Sequence, residues 1–194
     1  MEILQKVFEM YVGGFRKFAD FKSRSGKFEF WSFALLNTVV SHIFGFVGKL
    51  NLVLTLLAVV YGFAVLVPLA AMFVRRVRDT GHSPYWVVGA FSGAIYPLVQ
   101  QFLPFPFLVT GVLNLMCFLA LIYVLILTVC PSAEKNKYGQ PPAENKQEII
   151  VANIFVIIFF ALMVWQTATV VRTGTVLTDT DKPANLQVLH HTTR

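Results

Sequence analysis

Long uncharged apolar runs alternate with short charged links along most of the chain. Five runs, at 30–47, 50–74, 84–103, 105–130 and 149–171, are continuous enough to form membrane helices. A helix needs about 20 apolar residues to cross a hydrocarbon layer of about 30 Å, and a backbone in lipid must close its own hydrogen bonds. The pattern therefore predicts an all-α, polytopic transmembrane bundle of about five spans. Asn37 and His42 interrupt the first run, and Gly62 and Pro68 predict a bend in the second. Ser83-Pro84 reads as an N-cap followed by proline at the first helical position, and residues 104–106 read as a Pro-Phe-Pro turn.

The flanks follow other patterns. In the N-terminal segment 1–29, Leu4, Val7, Phe8, Tyr11, Phe15 and Phe18 recur at helical spacing, whereas Gln5, Lys6, Glu9, Arg16 and Lys17 fall elsewhere. This predicts an amphipathic helix, weakened by Gly13-Gly14, that lies along the membrane surface or packs on neighbouring loops. Residues 172–194 are polar and Thr-rich, with Pro183, and read as a mobile tail.

Composition sharpens the class. The chain is 56% hydrophobic and only 13% charged, with a mean hydropathy of +0.66; ordinary soluble domains carry about 25% charged residues. Sixteen Lys and Arg residues against ten acids give a net charge of +6. Because the surplus sits between the apolar runs, it points to topology signals and anionic lipid headgroups, not to nucleic acid. Lys6, Arg16, Lys17, Lys22, Arg24 and Lys27 precede the first run, Arg75, Arg76 and Arg78 follow the second, and Lys135, Lys137 and Lys146 follow the fourth. The alternate side holds only Lys49, Arg172, Lys182 and Arg194. The bias orients the N-terminus to the cytoplasm and the C-terminus away from it.

The first thirty residues carry scattered charges and no cleavage pattern, which argues against a removable signal peptide. Cys117 and Cys130 share one helical run about 20 Å apart, too far for a disulfide, so free thiols are expected. No Cys/His spacing resembles a zinc or haem site, and His190-His191 is a terminal pair. Neither metal nor cofactor is expected.

Three polar segments at helix ends converge on the side read as cytoplasmic: 20–31, 75–86 and 136–142. They contain Asp20-Phe21 with Arg24, Lys27 and Glu29-Phe30-Trp31, then Arg75-Arg76-x-x-Asp79-Thr80-Gly81-x-Ser83-x-x-Trp86, then Asn136-x-Tyr138-Gly139. Arg75 and Asp79 are spaced to pair on one helix face, and Gly81 is placed to reverse the chain. These motifs resemble the bacterial inner-membrane family known as domain of unknown function 805, over residues 15–142. Ser23-Arg24, Lys27, Arg78 and His82 stand where the family pattern has Gly-Arg, Arg, His and Arg. The resemblance implies a bacterial cytoplasmic membrane, four spans to which the fifth is an addition, and no established activity.

Two readings of the segments coexist. In one, Arg24, Lys27, Arg75, Arg76 and Arg78 face a lipid phosphate or another anion, oriented by Asp79 and Glu29 and flanked by His82, Asn136 and Tyr138, because guanidinium pairs bidentately with phosphate. In the other, favoured one, the acids pair with those same cations and lock the helix ends, while Trp31, Tyr85 and Trp86 form an interfacial aromatic belt. The expected role is a non-catalytic membrane component binding anionic headgroups, a protein partner or a second copy. The alternative is a small transporter or channel with a polar path near His42, Asn37 and Asn114. An enzyme acting on lipid comes third: Gly81-His82-Ser83-Pro84-Tyr85 lacks the second glycine of a nucleophile elbow. Gly89 and Gly93 permit a close helix approach, within the chain or between copies.

Overall fold

The computed structural model describes residues 2–102 and 106–180. Leu103 and Phe105, which bound the third and fourth expected runs, lie outside the described residues, as do Lys182, His190-His191 and Arg194. Six helices follow one another: α1 (Glu2–Arg16), α2 (Lys27–Val47), α3 (Leu52–Asp79), α4 (Tyr85–Phe102), α5 (Phe107–Val129) and α6 (Lys146–Thr180), with a 3-10 turn at Gly48–Leu50. Among the described residues there is no strand, only an Asn136–Gly139 bridge. The chain divides into two units, Met1–Val156 and Ile157–Arg194, with the boundary inside α6.

Among the described residues, four stretches are long and apolar enough to cross a membrane: Lys27–Leu50, Leu52–Asp79, Leu108–Val129 and Lys146–Thr169. The apolar α4 has 18 residues, about 27 Å at 1.5 Å per residue, and is the shortest of the five apolar helices. Leu56, Val60 and Phe63 of α3 and Leu115, Met116 and Phe118 of α5 all point outward. So broad an apolar surface is stable in hydrocarbon and not in water. Within the second unit, Ile157, Val164 and Trp165 are likewise exposed.

Helix bounds differ from the apolar runs where charge is buried. The second run ends at Val74, yet α3 continues through Arg75 and Arg76 to Asp79, all three fully buried. Pro68 lies buried within this helix. At its far end the Asn51 side chain caps Leu54 N at 3.0 Å, and at its near end Gly81 adopts φ +83°. There His82 N donates to Val77 O at 3.2 Å and Gly81 N to Arg78 O at 3.0 Å, the bond pair of a Schellman cap. The chain reversal expected at Gly81 takes this form. Likewise α6 begins at Lys146 and runs past 171 through Arg172 to Thr180.

Helices α2 and α3 form an antiparallel hairpin. Phe30 and Phe73 rings meet at 5.0 Å near one end, and Phe44 stacks on Tyr61 at 4.9 Å toward the other. Between them Tyr61 donates to Asn37 Oδ1 at 2.7 Å. Helices α4 and α5 cross where a Cβ on Gly89 would meet Ala120 at 3.4 Å and one on Gly93 would meet Cys117 at 3.1 Å. The small-residue pair therefore serves packing within the chain. Val77, Val87, Ala90, Val124 and Leu127 close the core beside that crossing.

Helix α1 turns part of its expected face, Val7, Tyr11 and Phe15, inward. Val7 packs with Phe28 and Ala152, supported by Ile3, Met10 and Leu36, while Leu4, Phe8 and Phe18 are exposed. It docks on the spanning helices themselves, where Tyr11 meets the Phe33 ring at 5.6 Å and its hydroxyl lies 3.0 Å from that of Tyr61. Lys6 pairs with the buried Glu148 at the start of α6.

Candidate functional site

The three polar segments meet at the end of α3. Asp79, fully buried, receives Arg24 on Oδ1 (Nε at 2.9 Å, Nη2 at 2.8 Å) and both Arg76 and the Ser132 hydroxyl on Oδ2. The expected Arg75–Asp79 pair is thus corrected: Asp79 engages Arg76 on its own helix and Arg24 from the loop before α2. Removing one member of such a group leaves an uncompensated buried charge, which is why burial and pairing go together here.

Two cations around one carboxylate leave a surplus positive charge, and peptide carbonyls absorb it. Arg24 Nη1 donates to Glu134 O at 3.2 Å and Gly139 O at 2.7 Å, and Nη2 to Asp79 O at 2.9 Å and Ala133 O at 2.6 Å. With its Nε bond, every guanidinium proton of Arg24 is thereby taken. Arg76 donates to Thr128 O at 3.2 Å, Ser25 O at 3.5 Å and Cys130 O. Trp31 adds its indole N–H to Thr128 O at 3.0 Å. The Thr128 and Cys130 carbonyls stand at the C-terminal end of α5, where no helix bond satisfies them. Arg24 and Arg76 consequently offer no guanidinium to a ligand; they tie the loop before α2, the end of α3 and the segment after α5 into one knot.

The other expected site residues surround the knot. Asn136 donates to Arg78 O at 3.1 Å and accepts Tyr138 N at 2.8 Å, holding Gly139 at φ +114°. The Arg78 guanidinium lies 5.0 Å from the Tyr138 ring centre and donates to Lys22 O at 3.1 Å, and Lys137 lies 5.0 Å from the same ring. Glu29 lies 3.6 Å from Lys17 and accepts the Ser25 hydroxyl at 3.1 Å. Lys27, the first residue of α2, has no carboxylate within ion-pair distance among the described residues. His82 is exposed, with Nδ1 at 3.2 Å from Thr80 Oγ1, and its ring packs edge-on to Tyr123. Its Nδ1 thus meets Thr80, while the Asp79 oxygens receive Arg24, Arg76 and Ser132.

Arg75 stands apart. Its side chain is completely buried, Nη2 donates to the Met72 sulfur at 2.9 Å, and Nε and Nη1 have no hydrogen-bond partner among the described residues. Nearby, Asp20 closes the turn at Ser23. The Ser23 hydroxyl at 2.5 Å and amide at 3.0 Å, with the Lys22 amide and the field of Arg75, bring its carboxyl down to about 2 against the opposing effect of burial.

Several contributors escaped the sequence reading. Glu144 reaches back to Phe28 N at 2.5 Å and fills the space where a side chain on Gly26 would lie. Ser132 and Ser25 were not singled out either. The short polar link 130–146 was the available signal, because unsatisfied α5 carbonyls had to find donors somewhere. His42, central to the transporter alternative, is exposed on α2, with Nδ1 2.7 Å from Thr38 O. Asn37 is engaged by Tyr61. Asn114 lines a groove of about 480 Å³ beside the α4–α5 crossing, together with Phe91, Cys117 and Phe118.

The model of a protein family of unknown function, DUF805, matches residues 18–140, the span that contains all three motifs. "Inner membrane protein YhaI" of Escherichia coli K12 is 30% identical over 81 residues, 41% of this chain and 69% of that protein. "Inner membrane protein YhaH" of the same strain is 29% identical over 96 residues, 45% of this chain and 71% of that protein. No solved structure matches. With four membrane-length apolar helices and inner-membrane relatives, the chain is a multi-pass protein of the inner membrane. It carries the Arg-Arg-x-x-Asp-Thr-Gly knot inside the matched span and belongs to the DUF805 family.

Proposed function

We propose that this chain is a non-catalytic inner-membrane component of five spans, with the motif-bearing face in the cytoplasm and the C-terminus on the opposite side, and that this face binds anionic lipid headgroups. One observation carries the reading. The carboxylates of the face are spent inside the protein: Asp79 on Arg24 and Arg76, Glu148 on Lys6, Glu29 on Lys17, Asp20 on its own turn and Glu144 on Phe28 N. Arg16, Lys22, Lys27, Arg78, Lys135, Lys137 and Lys146 have no ion-pair partner among the described residues, with only Glu2, Glu9 and Glu134 left to oppose them. An unneutralised cationic rim around membrane helices attracts anionic headgroups by about 1 kcal/mol per basic residue.

Lipid retention tests this. The full chain in nanodiscs of mixed phosphatidylglycerol and phosphatidylcholine is expected to retain phosphatidylglycerol preferentially on gentle extraction, less so at high salt. The preference falls in a Lys22→Gln, Lys27→Gln, Lys137→Gln variant. Equal retention of the two lipids at every salt concentration sinks the reading.

A further inference from the structure

We propose that the buried Arg75 guanidinium is the ligand-receiving group of this face and takes one phosphate-class oxyanion, with the Met72 thioether holding its place. The inference rests on the anion-binding reading above and names the group that does the recognising. Among the buried arginines, Arg24 and Arg76 donate to protein oxygens, whereas Arg75 has two nitrogens without a partner among the described residues and a third on sulfur. A thioether is a weak acceptor, so a guanidinium at full burial is left short of the charge-assisted bonds that ordinarily offset its desolvation. Asp20 feels the field of Arg75, but among the described residues no carboxylate is hydrogen-bonded or ion-paired to it, and an ionisable residue at a membrane helix without a bonded counter-charge marks a site for one.

The surroundings fit an oxyanion better than a resident carboxylate. Both nearby carboxyls are engaged elsewhere, Glu29 by Lys17 and the Ser25 hydroxyl, and Asp20 by Ser23 and the Lys22 amide. Ser25 Oγ also lies 3.8 Å from the Met72 sulfur, so a hydroxyl donor borders the place the sulfur fills. Met72 is unbranched, and a thioether is an adaptable side chain, so it is the neighbour of Arg75 best suited to yield its place. Above Arg75 the 20–25 loop is fastened by Ser25 N to Arg75 O at 3.3 Å and by Arg78 to Lys22 O at 3.1 Å, with Lys22 exposed at its rim. A phosphate oxygen entering beneath that loop replaces sulfur on Nη2 and meets the idle Nε in the bidentate arrangement guanidinium favours.

The source of the oxyanion is either a lipid headgroup or free phosphate, and titration separates them. The full chain, labelled with 15N-arginine in maltoside micelles, is titrated with inorganic phosphate against chloride at matched ionic strength, and separately with phosphatidylglycerol. One Nε resonance, identified as Arg75 by its absence from Arg75→Gln or, if that variant misfolds, from Arg75→Lys, is expected to shift saturably. A response to inorganic phosphate identifies free phosphate as a sufficient ligand, and a response to the lipid alone identifies the headgroup. Met72→Phe leaves the guanidinium intact but fills the place of the sulfur, and is expected to weaken the response roughly tenfold or more, as loss of charge-assisted bonds predicts. The Lys135→Gln, Lys137→Gln surface variant, both positions lying outside the 20–25 loop, keeps the Arg75 shift, so failure of the surface reading is distinguishable from failure of this one. An Arg75 resonance unmoved in both titrations of folded protein, or a response unaltered in Met72→Phe, overturns the proposal.

Discussion

Arg75 and Arg76 are chemically identical neighbours, and one turn-fraction of helix gives them opposite fates. At 3.6 residues per turn their side chains diverge by about 100°. Arg76 therefore reaches Asp79 and the end of α5, while Arg75 turns toward Met72 and the 20–25 loop. Nothing in the letters chooses between i,i+3 and i,i+4 pairing, because both bring side chains together on a helix. Asp79→Asn is expected to cost about 3–5 kcal/mol, since it strands two buried guanidinium groups around a neutral amide. Thermal unfolding in detergent reads this directly, and Lys27→Gln, with no ion-pair partner to lose, should stay within about 0.5 kcal/mol.

Whole elements were easier to foresee than their faces. The helical spacing of residues 3–18 predicts α1, and α1 forms despite its paired glycines. Its inward face, however, was set by the complementary surface of α2, where Gly14 lets the helix close against the fully buried Phe33 ring. Gly13, one residue earlier, faces open space. The same substitution therefore has opposite consequences at the two positions. Gly13→Ala is expected to stabilise α1 by up to about 1 kcal/mol through helix propensity, whereas Gly14→Ala places a methyl group into Phe33 and loosens α1. Limited proteolysis within 18–22 should accelerate in Gly14→Ala and not in Gly13→Ala.

For the whole molecule, the proposed topology puts residues 22, 82 and 137 in one compartment and residue 49 in the other. In a background of Cys117→Ala and Cys130→Ala, single Lys22→Cys, His82→Cys and Lys137→Cys thiols are expected to resist a membrane-impermeant maleimide in intact cells, and Lys49→Cys to react. Labelling of Lys137→Cys together with Lys49→Cys would break the five-span arrangement. All four positions are exposed, so accessibility of the side chain does not confuse the outcome.

Hydropathy by itself determined the solvent, the helical class, the approximate helix positions and the grouping of basic motifs at helix ends. Those follow from the free energy of apolar and charged groups in hydrocarbon, which adds up locally along the chain. Only the tertiary structure decided which charges are consumed and which remain. Arg24 and Arg76 are spent on Asp79 and on carbonyls that accept from them at and beyond the end of α5, more than fifty residues away from either, and Arg75 is left with a sulfur. Charge satisfaction is a property of three-dimensional neighbours, and in a low-dielectric interior each bond formed or missed outweighs any preference legible in the order of residues.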